Sequence, residues 1–148
     1  LKFIGDGLLA VFPLRNAPAA QACDAALTAA QLAFELLRAR NAAPQGEHLA
    51  PIRFGLALHV GEVAYGNIGG ASRLDFTCIG SGVNLAARLE GLTGHLGRDL
   101  VVSAEFAQHC SQPHEELGVF ALKGVPEPVA VFAPLAAPDG RPAATVLP

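Results

Sequence analysis

The sequence predicts an α+β fold, a mostly antiparallel sheet with helices packed on it. Three observations point there. Short apolar runs with alternating character recur along the chain, a long Ala/Leu-rich segment carries an apolar residue every three or four positions, and a second amphipathic segment follows a Gly-Ser-Gly break. Alternation marks strands, and the three-to-four spacing marks helices. In chain order the elements read ββ-α-ββ-α-β-α-ββ.

Lys2-Phe3-Ile4-Gly5-Asp6-Gly7 runs on into Leu8-Leu9-Ala10-Val11-Phe12. Two apolar runs separated by Gly-Asp-Gly read as a hairpin with a tight turn. The turn lifts the Asp6 carboxylate to a tip that a hard metal ion can reach. Taken alone, Gly-Asp-Gly reads as a common turn with no further role. Pro13, Asn16 and Pro18 form a loop that opens a helix from Ala19 to Arg40. Its stripe of Cys23, Leu27, Ala30, Phe34 and Leu37 is core, and Arg38 and Arg40 suit the negative end of the helix dipole.

Ala42 to Pro51 reads as a loop. Ile52 to Val60 reads as a strand with Ile52, Phe54, Leu56 and Leu58 on one face. Gly61 turns the chain into a shorter strand, Glu62 to Ile68, and Gly66 to Ser72 reads as a small-residue loop. Leu74 to Ile79 is the next strand. Val83 to Leu92 is the next helix, with Leu85, Leu89 and Leu92 as its apolar side. Asp99 to Ser103 is a strand whose last residue caps a short helix, Ala104 to Cys110. Leu117 to Leu122 and Val129 to Leu135 flank Gly124 to Pro128 as a terminal hairpin. The expected domain is 1–135, and the Ala/Pro-rich stretch 136–148 is expected to be a tail or linker.

A chain of 148 residues is long enough for one domain with its own core, and 51% hydrophobic content fits a globular chain. No apolar run approaches the roughly 18 residues that span a bilayer. A net charge of -3 without a basic block argues against nucleic acid as a partner. Cys23, Cys78 and Cys110 are an odd number at long spacings, which fits a reducing, cytoplasmic setting rather than a disulfide framework. Without Cys-x-x-Cys or His-Glu-x-x-His, a structural zinc or zincin site is not expected. His109, Cys110 and His114 read as incidental neighbours, and His59 and Tyr65 as packing residues.

The most informative stretch runs from Arg73 to Glu90. Leu74 to Ile79 breaks at Gly80-Ser81-Gly82, and the helix that follows carries Asn84 and Arg88 four residues apart. That spacing puts an amide and a guanidinium on one face, just beyond a strand end. Such a pair suits an anionic ligand with sugar hydroxyls. By themselves the two residues are as well an ordinary surface pair.

Together these segments resemble the catalytic domain of class III nucleotidyl cyclases, the adenylate and guanylate cyclase family. The family pattern Lys-x-x-Gly-Asp matches Lys2 to Asp6. The pattern Thr/Asp-x-x-Gly-x-x-Val-Asn-x-Ala-x-Arg matches Thr77 through Arg88. Leu58 to Gly69 is similar to the family's strand and Gly-Asn-Ile-Gly turn, and Leu122 to Val129 to its closing hairpin. The resemblance implies a ferredoxin-like or palm-like antiparallel sheet packed with helices. It also implies that a first strand, carrying another metal-binding Asp, and two helices precede Lys2 in a longer protein.

For function, the resemblance implies conversion of ATP to 3′,5′-cyclic AMP and pyrophosphate, a phosphorus-oxygen lyase reaction with two divalent ions, Mg2+ or Mn2+. Asp6 matches a metal ligand. Lys2 and Thr77 match the purine-reading pair. A Lys donates to adenine N1 and a Thr hydroxyl accepts from the N6 amine, whereas guanylate cyclases carry Glu and Cys. Thr at position 77 resembles the subgroup that contains bicarbonate-responsive members. Asn84 matches the residue that orients the ribose and Arg88 the one that stabilises the α-phosphate. Lys123 matches the cation for the terminal phosphates, although a Lys solvating a hairpin turn fits the same position. The family's site forms across a head-to-tail homodimer, so a second copy is an expected partner, and this chain alone is expected to turn over little or no ATP. The alternative is a cyclase-homology module without catalysis that binds nucleotide or dimerises to regulate.

Overall fold

A computed structural model describes residues 1–14, 18–43, 50–70 and 73–135, with backbone alone across 67–70 and 73–77. The chain opens with β1 (Lys2–Ile4) and β2 (Gly7–Leu9), which close an antiparallel hairpin through the two-residue turn Gly5-Asp6. Gly5 stands at φ +62°, and among the described residues none other than glycine has a positive φ. Glycine at the first turn position followed by negative φ at Asp6 is the type II′ pattern, whose twist matches that of the strands.

The remaining order is α1 (Ala19–Ala42), β3 (Leu56–Leu58), β4 (Ala64–Gly70), β5 (Arg73–Ile79), α2 (Ser81–Glu90), α3 (Thr93–Leu96), β6 (Leu100–Ser103), α4 (Ala104–His109), β7 (His114–Phe120) and β8 (Val129–Pro134). The central sheet runs β3-β6-β8-β7. β3 lies parallel to β6, and the β6–β8 and β8–β7 pairs are antiparallel. β4 and β5 form a separate antiparallel hairpin. This is the α+β arrangement expected, with three strands rather than two between α1 and α2 and the short α3 as an added turn.

Val101 and Val102 show why β6 is central. Both are 0% exposed. As neighbours on a strand they point to opposite faces. Val102 packs with Cys23, Ala26 and Leu27 of α1 and Phe106 of α4. Val101 packs with Leu89 of α2, Leu122 and Val131. The sheet therefore has α1 and α4 on one face and α2 on the other. The predicted α1 stripe is buried from Cys23 to Phe34, and Leu37 is half-buried. Asp24 ties α1 to the end of α4 by accepting from the Ser111 amide at 2.8 Å and the Ser111 hydroxyl at 2.7 Å.

β7 starts and ends earlier than the expected Leu117 to Leu122, and two further segments differ from expectation. Of Ile52 to Val60, only Leu56–Leu58 is strand. Asn41 at the end of α1 takes the Ile52 backbone instead, donating to its carbonyl at 2.8 Å and accepting from its amide at 3.1 Å. Those are the groups a ladder would need. Phe54 stacks on Phe34 with ring centroids 4.8 Å apart. Gly66 to Gly70 is strand rather than loop, because β5 runs opposite it down to the pair Gly70–Arg73. Tyr65, expected to pack, is 62% exposed. The stretch 136–148 lies outside the described residues.

Candidate active site

The turn from β5 into α2 rests on glycine. Gly80 has φ +145°, and a Cβ there would sit 2.9 Å from the Glu62 carbonyl oxygen. A Cβ on Gly82 would meet the same oxygen at 3.0 Å. Without these side chains the Gly61-Glu62 backbone lies directly against the start of α2. No side chain caps that end of the helix, and the Asn84 amide donates to the Gly80 carbonyl at 3.2 Å.

Asn84 and Arg88 stand one turn apart on α2 with both side chains exposed, while Leu89 beside them is fully buried. Lys123 is exposed on the turn between β7 and β8, where the Val125 amide donates to the Leu122 carbonyl at 3.0 Å. A cavity of about 220 Å³ brings these two regions together. Asn84 lines one side, and Gly124, Val125 and Pro126, directly after Lys123, line the other.

The other expected residues lie elsewhere. Lys2 is half-buried on β1 and Asp6 is exposed at the hairpin tip. Their hairpin pairs with no other strand among the described residues. Thr77 sits on β5 opposite Gly66 of β4, and its side chain lies outside the described residues. Asp6 supplies one hard oxygen ligand of the kind Mg2+ or Mn2+ takes. Among the described residues no three His, Cys, Asp or Glu side chains converge into a full ligand set. The donor set fits a hard cation in part, through that one carboxylate.

His59, read from the sequence as packing, belongs to the cavity. Its side chain is only 8% exposed. Nδ1 lies 2.9 Å from the Ser103 hydroxyl, which also accepts from the Phe106 amide at 3.2 Å and so caps α4. The Glu105 carboxylate is 3.7 Å from the same nitrogen. Burial pushes the His59 imidazole below its usual range, and Glu105 opposes that in part. The one local signal for this role was Gly61, two residues on: a Cβ there would lie 2.5 Å from His59 Nε2.

The model of the adenylate and guanylate cyclase catalytic domain matches residues 1–128. An adenylate cyclase of Anabaena cylindrica is 33% identical over 134 residues, covering 88% of this chain and 25% of the relative. Adenylate cyclase 1 of Rhizobium meliloti is 32% identical, covering 84% of this chain and 19% of its own length. The chain thus spans a quarter or less of these curated relatives. The crystal structure of a guanylyl cyclase superposes with a TM-score of 0.71 at 25% identity, over 88% of this chain and 66% of the other. That of an adenylyl cyclase from P. aeruginosa gives 0.64 at 24% identity, over 88% and 68%, and supports the fold. Matched along most of its length, and carrying the fold of its structural neighbours, this chain belongs to the adenylate and guanylate cyclase catalytic domain family.

Proposed function

We propose that residues 1–135 are the larger part of an adenylate cyclase catalytic domain, followed by a linker, and that the site is shared between two copies arranged head to tail. The reaction joins the ribose 3′-oxygen to the α-phosphorus of ATP. The bond from that phosphorus toward the β-phosphate breaks, its electron pair leaves with pyrophosphate, and the 3′-hydroxyl proton passes to solvent. The observation that carries the reading is the pairing of Asn84 and Arg88 on the exposed face of α2, with the Lys123 turn across the cavity beside Asn84.

Arg88 places a permanent positive charge where the α-phosphate gains charge in the transition state. Asn84 orients the ribose, and Lys123 holds the terminal phosphates. Lys2 and Thr77 read adenine by donating to N1 and accepting from the N6 amine. When bound, two divalent ions held in part by Asp6 would neutralise phosphate charge and favour the 3′-alkoxide. Lys2 and Asp6 sit on a hairpin outside the central sheet, which supports a site completed by a second copy.

The test is cyclic AMP formation from ATP with Mg2+ or Mn2+, using the chain extended upstream, beside an Arg88→Ala variant. The expected result is product in the first and a loss on the order of a hundredfold or more in the second. No product from folded, dimeric protein would move the reading to a regulatory module that binds nucleotide without turning it over.

A further inference from the structure

The cavity at the start of α2 contains a donor that the proposed roles leave unused. His59 Nε2 has no hydrogen-bond partner among the described residues, although more than nine-tenths of the side chain is buried. Its proton follows from the other nitrogen, where the Ser103 hydroxyl at 2.9 Å is within hydrogen-bond distance and the Glu105 carboxylate at 3.7 Å is not. Ser103 is 0% exposed, and its oxygen already accepts from the Phe106 amide. The hydroxyl hydrogen still needs an acceptor. His59 Nδ1, at 2.9 Å, is the partner in reach. A ring that accepts at Nδ1 carries its hydrogen on Nε2. That nitrogen lies over Gly61, which lines the cavity along with His59.

Other donors converge on the same space. Ser81 and Gly82, the first residues of α2, line the cavity. The amides of a helix's first turn have no partner within the helix, and they carry the positive end of its dipole. The Asn84 side chain stands at the rim, and among the described residues no Asp or Glu side chain lines the wall. At about 220 Å³ the cavity is smaller than the roughly 300–1,000 Å³ of pockets that enclose a whole drug-sized ligand. It fits one group of a ligand.

We infer that this cavity is an oxyanion subsite, in which His59 Nε2–H and the first-turn amides of α2 receive one phosphate-type group. The inference rests on the cyclase reading only for the source of that group, either the phosphate chain of the nucleotide or free pyrophosphate. His59 is then a binding residue and Ser103 the positioning residue that holds its tautomer.

The experiment is a titration of the full-length protein with pyrophosphate, ATP and adenosine, following the ring nitrogens of 15N-labelled histidine by NMR. The His59 signal is assigned by its absence in His59→Gln, and cyclic AMP is measured in the same samples. The expected result is a shift of the His59 Nε2 resonance with pyrophosphate and with ATP, and none with adenosine. A shift with pyrophosphate but not ATP also supports the subsite and names the free anion as its ligand. His59→Phe should weaken pyrophosphate binding by about tenfold, while His59→Gln, which keeps a donor near the same point, should lose less. A resonance that both phosphate ligands leave unmoved, or that adenosine alone moves, overturns the inference. Turnover of ATP with an unmoved resonance would remove the subsite and leave the cyclase reading intact. A shift without turnover would do the reverse.

Discussion

Ser103 Oγ and His59 Nδ1 lie 2.9 Å apart, linking the end of β6 to the residue that follows β3. The same oxygen caps α4 through the Phe106 amide. One hydroxyl therefore starts a helix and orients an imidazole. Ser103→Ala removes both bonds at a fully buried position. The expected cost is about 1–2 kcal/mol or more, read as a lower urea midpoint. Glu105→Gln, at an exposed carboxylate, should shift the midpoint far less. Equal effects from the two substitutions would show that the cap carries little.

Stability should fall on mild acidification. Burial pushes His59 and His114 below the usual imidazole value of 6.5, with Glu105 opposing for His59 and a backbone bond at Gln112 opposing for His114. Below 6.5 the unfolded chain takes up protons that the folded chain resists. This contribution is therefore fully present above 6.5 and is lost as pH falls through that value toward the lower folded pKa values. His114 adds to it because its Nε2 is buried without a partner among the described residues. Urea unfolding from about pH 7.5 to about pH 5.5 measures the slope, and His114→Phe should flatten it. A slope unchanged in that variant would assign the loss to other groups.

Gly80→Ala should be among the costliest single-methyl additions in the chain. It places a Cβ at φ +145° and 2.9 Å from the Glu62 carbonyl oxygen. Strain of this kind costs about 1–3 kcal/mol. Gly94→Ala, where a Cβ meets nothing within 4 Å, is the control and should unfold near the wild-type midpoint.

Exchange of the purine-reading pair tests the substrate. In the chain extended upstream, Lys2→Glu with Thr77→Cys is expected to shift preference from ATP toward GTP. The donor at position 2 becomes an acceptor, matching the reversed hydrogen-bonding edge of guanine. Competition assays with both nucleotides measure the ratio. An unchanged ATP preference would count against these two residues as the readers of the base.

Local chemistry made much of this chain legible. The three-to-four spacing from Cys23 to Phe34 placed the buried face of α1, because helix geometry alone brings those residues into line. Gly5-Asp6 marked a hairpin turn, Ser103 a helix cap and Gly80 the break before α2, each through the conformation or hydrogen bond that residue type favours. The spacing from Asn84 to Arg88 put two polar groups on one exposed face by the same periodicity. Features that depend on partners far along the chain were not legible. The parallel pairing of β3 with β6 joins residues more than forty positions apart. Asn41 withdraws Ile52 from the sheet, and β5 turns a glycine-rich stretch into strand. His59 looked like one more strand residue because its role comes from Ser103, Gly61 and the start of α2, which meet only when the sheet closes. Period and turn chemistry act between near neighbours, whereas a cavity wall is assembled from segments that only long-range pairing brings together.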